Sequence, residues 1–342
     1  MPHGLRISIG QHSDKGAKET NQDFHGAVIP NEPALGLKGI AVALADGISS
    51  SDVSRIAAES AVKSFLTDYY CTSDSWSTKT SATRVIAATN SWLHAQTRRG
   101  RHGHDPDRGY VCTFSVLVAK SRTAHLFHIG DARIYRKVGG SLEQLTDDHR
   151  VVLSSEETYL GRALGVNPQV EIDYRTVELE VGDVFVLATD GAYEHVDARA
   201  IVRSIEEGRD DLDAAAGRIV RQAFEQGSRD NLTVQIVRID ALPDGEATEV
   251  LAESTGLPLP PLLEPRQPLR WPRSSATRSM RKSRSSTPMQ PTSPRRSTSS
   301  MRPCRGARRA RSTACSPSWS AAMARSSIGS SLSPWRFHGP SP

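Results

Sequence analysis

Cysteine and long apolar runs are both scarce in this chain of 342 residues. The four cysteines, Cys71, Cys112, Cys304 and Cys315, show no metal-ligand spacing, which excludes a thiolate zinc site and a disulfide framework. No stretch approaches the roughly 20 apolar residues of a membrane-spanning helix. No apolar run follows the first residues as it does in a secretory signal peptide. These absences predict a protein of the reducing cytoplasm.

Acidic residues are missing from the last part of the chain, because none follows Glu264. Residues 265–342 carry 15 Arg and one Lys, whereas the residues before them carry 27 basic and 38 acidic side chains. The net charge of +5 therefore combines an acidic body with a strongly basic tail. The acidic body has no basic patch of the kind that binds nucleic acid.

The same change in composition predicts the domain organisation. We expect residues 1–240 to form one domain, which is long enough to bury a sizeable core. Residues 241–269 are rich in Pro, Leu and Glu and are typical of a linker. Residues 270–342 contain 20 Ser and almost no periodic apolar positions, so we expect them to be disordered.

Acidic residues recur at the ends of apolar runs that are typical of buried strands. The four positions are Asp46, Asp131, Asp190 and Asp230. Carboxylates that converge from several strand ends suit a hard cation such as Mg²⁺ or Mn²⁺, because these ions prefer oxygen ligands. The alternative for any one of them, above all the Asp-Gly pairs at 46–47 and 190–191, is a tight turn.

Strand-like and helix-like segments alternate in blocks rather than one by one. Pairs of amphipathic helices are predicted at 53–69 and 81–99, and again at 198–207 and 212–226, among short strands. This order favours an α+β fold with antiparallel sheets over the regular βαβ alternation of a parallel sheet. The aromatic residues Phe65, Trp92 and Phe224 lie on the predicted inward faces of the helices, so we expect them in the core.

Five ordered motifs within residues 5–240 resemble the bacterial metal-dependent serine/threonine protein phosphatases of the type 2C (PPM) family. They are Lys18-x-x-Asn21-Gln22-Asp23, Ala45-Asp46-Gly47, Gly130-Asp131-Ala132-Arg133, Thr189-Asp190-Gly191 and Arg229-Asp230-Asn231. The resemblance implies a four-layer αββα sandwich, with two central antiparallel sheets flanked by helix pairs. It also implies hydrolysis of phosphoserine and phosphothreonine by a water that two Mn²⁺ or Mg²⁺ ions activate.

The resemblance further implies roles for particular residues. Asp46 is expected to bridge both metals, with the Gly47 carbonyl as a further ligand. Asp190 and Asp230 are expected to hold one metal. Asp23 is expected to orient water at the metals.

Three further assignments follow from the same resemblance. A third, weaker metal would be held by Asp107, with Asp105 as the alternative. Lys18 takes the position of a phosphate-binding residue. His149 is a candidate for the acid that protonates the leaving group, and a solvated loop histidine is the alternative.

The sequence departs from the family pattern at three places near these residues. Lys18 replaces an Arg and lacks its bidentate fork, so phosphate should bind less tightly. Gln22 replaces an acidic residue, and residues 48–51 replace a Gly-Gly-His loop. These departures leave a second hypothesis from a different class, a catalytically weak phosphoprotein-binding module.

Expected partners are phosphorylated proteins, in particular a serine/threonine kinase or its targets, and the domain is expected to be a monomer. Residues 262–265 resemble the junction that joins such a phosphatase to a kinase in bifunctional bacterial proteins. The tail has two interpretations, which are an out-of-frame remnant of a kinase and a genuine basic arm that contacts nucleic acid or anionic membrane.

Overall fold

The structure is a computed structural model that describes residues 4–100, 104–152 and 158–244. The disordered tail predicted at 270–342, and all but the first residues of the linker predicted at 241–269, lie outside these ranges. Within them, no helix combines the length and the apolar character that crossing a membrane requires.

Strands dominate the described chain, and two pairs of long helices and two short helices interrupt them. The strands are β1 (Arg6–Asp14), β2 (Asp23–Val28), β3 (Ile40–Asp46), β4 (Phe114–Lys120), β5 (Thr123–Ile129), β6 (Arg133–Val138), β7 (Ser141–Gln144), β8 (Arg150–Val152), β9 (Thr158–Leu160), β10 (Asp173–Glu178), β11 (Val184–Ala188) and β12 (Leu232–Ala241). The helices are α1 (Ala34–Lys38), α2 (Ser54–Asp68), α3 (Thr78–Arg99), α4 (Asp190–Tyr193), α5 (Ala198–Glu207) and α6 (Leu212–Glu225). A short 3₁₀ turn covers Pro106–Arg108.

Two five-stranded sheets form the centre of the fold. The first has the order β1-β12-β11-β6-β7 and the second β10-β5-β4-β3-β2, and every pairing in both is antiparallel. β8 and β9 form a separate two-stranded antiparallel sheet. The first strand, β1, pairs along its whole length with the last strand, β12. The two ends of the described domain therefore lie side by side in one sheet.

Apolar side chains fill three layers. Helices α2 and α3 cover the outer face of the second sheet, where Phe65 and Ile86 pack with Ala43 and Val116. Helices α5 and α6 cover the outer face of the first sheet. The layer between the sheets contains the alternate residues of the same strands. This arrangement confirms the predicted α+β class and the four-layer αββα sandwich.

The layer between the sheets changes from apolar to polar along the strands. At one end it contains residues such as Val42, Leu117 and Val237. Towards the other end the inward positions become Gln235, Thr233 and Asp23, which are buried as well. Polar residues at buried positions need partners. This end of the sandwich is therefore where a polar site is built.

β1 continues through polar residues as far as Asp14, which pair with β12. β8 and β9 pair with each other in the polar segment after residue 147. One detail differs from the sequence-based expectations. Trp92 and Phe224 are 47% and 49% exposed, so their prediction as core residues is wrong. Helical spacing marks one face of a helix, but it does not show how far the facing layer extends.

Candidate active site

Two acidic residues face each other across neighbouring strands at the polar end of the sandwich. Asp23 opens β2 and Asp46 ends β3, and they are directly opposite in the antiparallel register. Like charges in such a cross-strand pair destabilise a sheet. The pair therefore indicates a functional constraint rather than a contribution to stability.

Asp23 is held in place by hydroxyl groups of the other sheet. The Thr233 Oγ1 and Thr189 Oγ1 hydroxyls donate to its Oδ2 at 2.6 and 3.0 Å. Its second oxygen, Oδ1, is buried and has no hydrogen-bond partner in the described residues. Burial raises the pKa of Asp23 from 3.8 to about 6. A buried carboxylate oxygen without a donor fits a site that receives water or a cation.

Asp46 lies at the centre of a group of carboxylates. Burial raises its pKa well above 3.8, and the charges of its neighbours raise it further; these neighbours are Asp23, Asp190, Asp131 and Asp230. The pKa of Asp190 is raised to about 7, again chiefly by burial and then by nearby carboxylates. Concentrated negative charge of this kind is relieved by a bound cation, and oxygen ligands suit Mn²⁺ or Mg²⁺. The chemistry of these carboxylate donors therefore fits divalent metal ions.

Asp190 and Asp230 are brought together by close packing of their following residues. A Cβ added to Gly191 would lie 2.0 Å from the Asn231 carbonyl oxygen, so the approach requires glycine. Asn231 is buried, and its side chain accepts from the Gln22 N–H at 2.8 Å. It also donates to two carbonyls of the loop before β2. Asn231 thus fixes the loop that carries Lys18 and Asp23.

Lys18 lies beside the carboxylates. Its ammonium forms an ion pair with Asp230 and donates to the Ser49 hydroxyl. Its side chain remains 25% exposed. Lys18 therefore connects the loop after Gly47 to one of the predicted metal ligands.

Two of the departures from the family pattern, Gln22 and residues 48–51, are hydrogen-bonded to each other. The Gln22 side-chain amide donates to the carbonyls of Ile48 and Ser51 at 3.3 and 3.0 Å and contacts the Ser54 hydroxyl. A carboxylate at this position cannot donate these bonds. Gly47 packs closely here too, since a Cβ on it would lie 2.7 Å from the Ser54 carbonyl oxygen. The altered loop is therefore braced rather than disrupted.

His149 is buried, and both of its ring nitrogens are engaged. The Gly130 N–H donates to Nδ1 at 3.0 Å, so Nε2 carries the proton that faces Asp173 at 2.9 Å. His149 also exchanges backbone hydrogen bonds with Gly130 and Gly161. The ring in this arrangement orients the turn before Asp131 and has no free nitrogen for a leaving group. Its role as an acid stays a prediction, which this geometry does not support.

Asp107 lies in the 3₁₀ turn and is exposed. Its backbone carbonyl accepts from the Ser50 hydroxyl at 2.6 Å, and its N–H donates to Asp105. Neither Asp107 nor Asp105 is among the strongest charges acting on Asp46, whereas Asp131 is. The third-metal assignment remains a prediction, and the structure places Asp131 in the group instead.

Arg150 is a residue of the site that sequence reasoning missed. It opens β8 and forms ion pairs with Asp131, Asp190 and Glu194. Its position in a polar segment gave no signal of this role. In the arrangement of this structure, no three carboxylate, imidazole or thiolate groups of the described ranges form a group that could hold a metal ion. The basic groups of Lys18 and Arg150 lie among the carboxylates.

Comparison with known proteins gives one consistent result. Residues 11–227 match the family model described as Protein phosphatase 2C. The serine/threonine phosphatase stp of Listeria welshimeri serovar 6b is 25% identical over 256 residues, which cover 68% of this chain and 96% of that protein.

Solved structures agree with the fold. The serine/threonine phosphatase of S. agalactiae has a TM-score of 0.60 and 22% identity, covering 69% of this chain and 100% of that one. The catalytic domain of PstP, a Mycobacterium tuberculosis serine/threonine phosphatase, was solved in complex with two manganese ions; it has a TM-score of 0.56 and 22% identity over the same shares of the two chains. At this identity the two likenesses show the fold alone.

Proposed function

This chain belongs to the protein phosphatase 2C family and is a protein serine/threonine phosphatase, and we propose that divalent metal ions held by its carboxylate group drive the hydrolysis. The observation that carries the proposal is the convergence of Asp23, Asp46, Asp131, Asp190 and Asp230 at the polar end of the sandwich, where burial and mutual repulsion raise the pKa values of three of them. Such a group is costly without a cation.

We propose that the metal ligands are Asp46, Asp190 and Asp230, and that Asp46 is at the centre of this group. Two divalent ions bound here, Mn²⁺ or Mg²⁺, would lower the pKa of a water and offset the charge of the phosphate. PstP, which has the same fold, was solved with two manganese ions, and this supports two as the number of ions in the proposal. The carbonyl of Gly47 remains a predicted further ligand.

Asp23 positions water rather than metal in this proposal. Thr189 and Thr233 fix its Oδ2, which leaves the unpartnered Oδ1 as an acceptor for a water hydrogen. A carboxylate with a pKa near 6 can hold or release a proton at neutral pH. Its anchoring on the opposite sheet keeps this oxygen at a fixed position.

Lys18 is the proposed phosphate-binding residue. Its ammonium lies beside Asp230 and is partly exposed, so it can contact a phosphate brought to the metals. An ammonium is a point charge and does not form the paired hydrogen bonds of a guanidinium. We therefore expect weaker phosphate binding than an arginine would give.

The substrates in this proposal are proteins that carry phosphoserine or phosphothreonine. That they include a kinase or its targets stays a prediction. The alternative of a catalytically weak binding module gains no support from the compared proteins, which are named as phosphatases. Gln22 also weakens the alternative, because it supplies a local reason for the altered loop.

A phosphothreonine peptide assay with and without Mn²⁺ tests the proposal. We expect phosphate release with Mn²⁺, loss of release with EDTA, and a loss of at least about 100-fold in Asp46→Asn. Asp210→Asn, in the exposed turn between α5 and α6, is the matched control and should keep full activity. Peptide binding without any metal-dependent release would favour the binding module instead.

A further inference from the structure

Arg150 joins three acidic residues from separate segments. Its Nε donates to Asp131 at 2.8 Å, its Nη1 to Glu194 at 2.6 Å and its Nη2 to Asp190 at 3.2 Å. Nη2 also donates to the Tyr193 hydroxyl at 3.3 Å. Four of the five N–H groups of the guanidinium are thus used, and a fork of this kind holds carboxylates in fixed directions.

The three carboxylates are not held equally. Asp131 and Glu194 receive the two short bonds, and in the described ranges Arg150 is the basic residue with which each forms its ion pair. Asp190 receives the longest bond, and its other oxygen accepts from the Gly191 N–H at 2.7 Å. Of the two aspartates, Asp190 therefore receives the weaker hydrogen bond from Arg150.

Asp131 is a carboxylate of the metal-binding group that a protein cation already neutralises. Its side chain is 14% exposed, and the hydroxyl of Tyr193 donates to its backbone carbonyl at 2.8 Å. The guanidinium of Arg133 stacks on the Tyr193 ring, 3.9 Å from its centroid, and pairs with Asp148. The surroundings of Asp131 are thus fixed by arginine and tyrosine contacts on several sides.

We propose that the guanidinium of Arg150 is a resident cation of the active site, which neutralises Asp131 and Glu194 and keeps a divalent ion from binding to Asp131. Arg150 is then a positioning residue that sets how many metal ions the carboxylate group takes. This inference rests on the proposed function, because it assumes that Asp46, Asp190 and Asp230 bind divalent ions.

Calorimetric titration of the full chain with Mn²⁺ tests the proposal through stoichiometry rather than turnover. Arg150→Gln keeps a polar, though shorter, side chain and removes the charge, so it should bind about one more Mn²⁺ per chain than the wild type. Arg150→Lys keeps the charge and should bind the wild-type number. Arg136→Gln breaks another partly buried pair, with Asp183, and is the matched control that should bind the wild-type number.

Substitution of Asp131 distinguishes the proposal from the alternative in which Asp131 binds a metal ion. Asp131→Asn with Arg150 in place should leave the number of bound Mn²⁺ ions unchanged, because the arginine and not a metal holds this carboxylate. Asp131→Asn combined with Arg150→Gln should remove the additional ion. Circular dichroism confirms that each variant is folded, and the single Asp131→Asn variant tests the proposal even if Arg150→Gln does not fold.

Two results would overturn the inference while leaving the proposed function intact. One is a wild type that binds Mn²⁺ and loses about one equivalent on Asp131→Asn. The other is an Arg150→Gln protein that is folded and binds the wild-type number. A wild type that binds no Mn²⁺ would refute the proposed function, and the inference would be refuted with it.

Discussion

Removing the charge of Asp23 should stabilise the metal-free protein, although it impairs the site. The pKa of Asp23 is raised from 3.8 to about 6 by burial, and its Oδ1 has no hydrogen-bond partner. In Asp23→Asn the side-chain oxygen can still accept from Thr189 and Thr233, and the residue no longer carries a buried charge. The substitution therefore removes the cost of that charge, together with its repulsion of Asp46.

The magnitude follows from the two pKa values. The difference between 3.8 and about 6 corresponds to about 3 kcal/mol, because one pKa unit is worth about 1.4 kcal/mol. The folded state holds the proton more tightly, so this contribution to stability is complete below about pH 4 and is lost as the pH rises through about 6. Asp23→Asn should thus match the wild type near pH 4 and exceed it by up to about 3 kcal/mol at pH 8.

Thermal unfolding in EDTA at a series of pH values measures this difference. We expect the midpoint of thermal unfolding to rise by up to about 6–12 °C in Asp23→Asn at pH 8, since about 1 kcal/mol shifts it by about 2–4 °C in a domain of this size. Asp210→Asn, at an exposed turn, should show no pH-dependent gain. A stability difference between Asp23→Asn and wild type that is the same at pH 4.5 and pH 8 would refute the reasoning.

Three other substitutions have defined outcomes. Lys18→Arg supplies a bidentate fork and should lower KM for a phosphothreonine peptide several-fold, with kcat within about twofold; an unchanged KM would count against its phosphate role. Gln22→Glu faces a buried carboxylate towards backbone carbonyls and should lower the free energy of unfolding in urea by about 2–4 kcal/mol; a neutral effect would contradict the bracing role. Gly191→Ala should cost more than about 2 kcal/mol in the same assay because its Cβ would lie 2.0 Å from Asn231, whereas Gly140→Ala, with nothing within 4 Å, should be nearly neutral; equal losses would contradict the packing argument.

The strands that carry the site could be predicted because they are buried on both faces. The runs before Asp46 and before Asp190 are nearly continuous in apolar residues, as they must be when one face packs on helices and the other on the second sheet. An acidic residue directly after such a run is readily noticed. Periodicity thus located the first two carboxylates and the helix pairs.

The partners of these carboxylates could not be predicted, because they come from distant parts of the chain. Thr233 is 210 residues from Asp23, and it appears in the sequence only as one polar residue in an apolar strand. Arg150 lies in a segment without periodicity, and its contacts depend on the turn that brings Asp131 near Asp190. Gln22 departs from the family pattern in the sequence, and the carbonyls to which it donates are brought near it only by the fold.

Anomalous diffraction at the manganese absorption edge, from crystals grown with Mn²⁺, tests the central claim most directly. We predict manganese peaks in contact with the carboxylates of Asp46, Asp190 and Asp230, and we predict Arg150, not manganese, beside Asp131. Crystals that contain manganese elsewhere but show no peak at Asp46 would contradict the account.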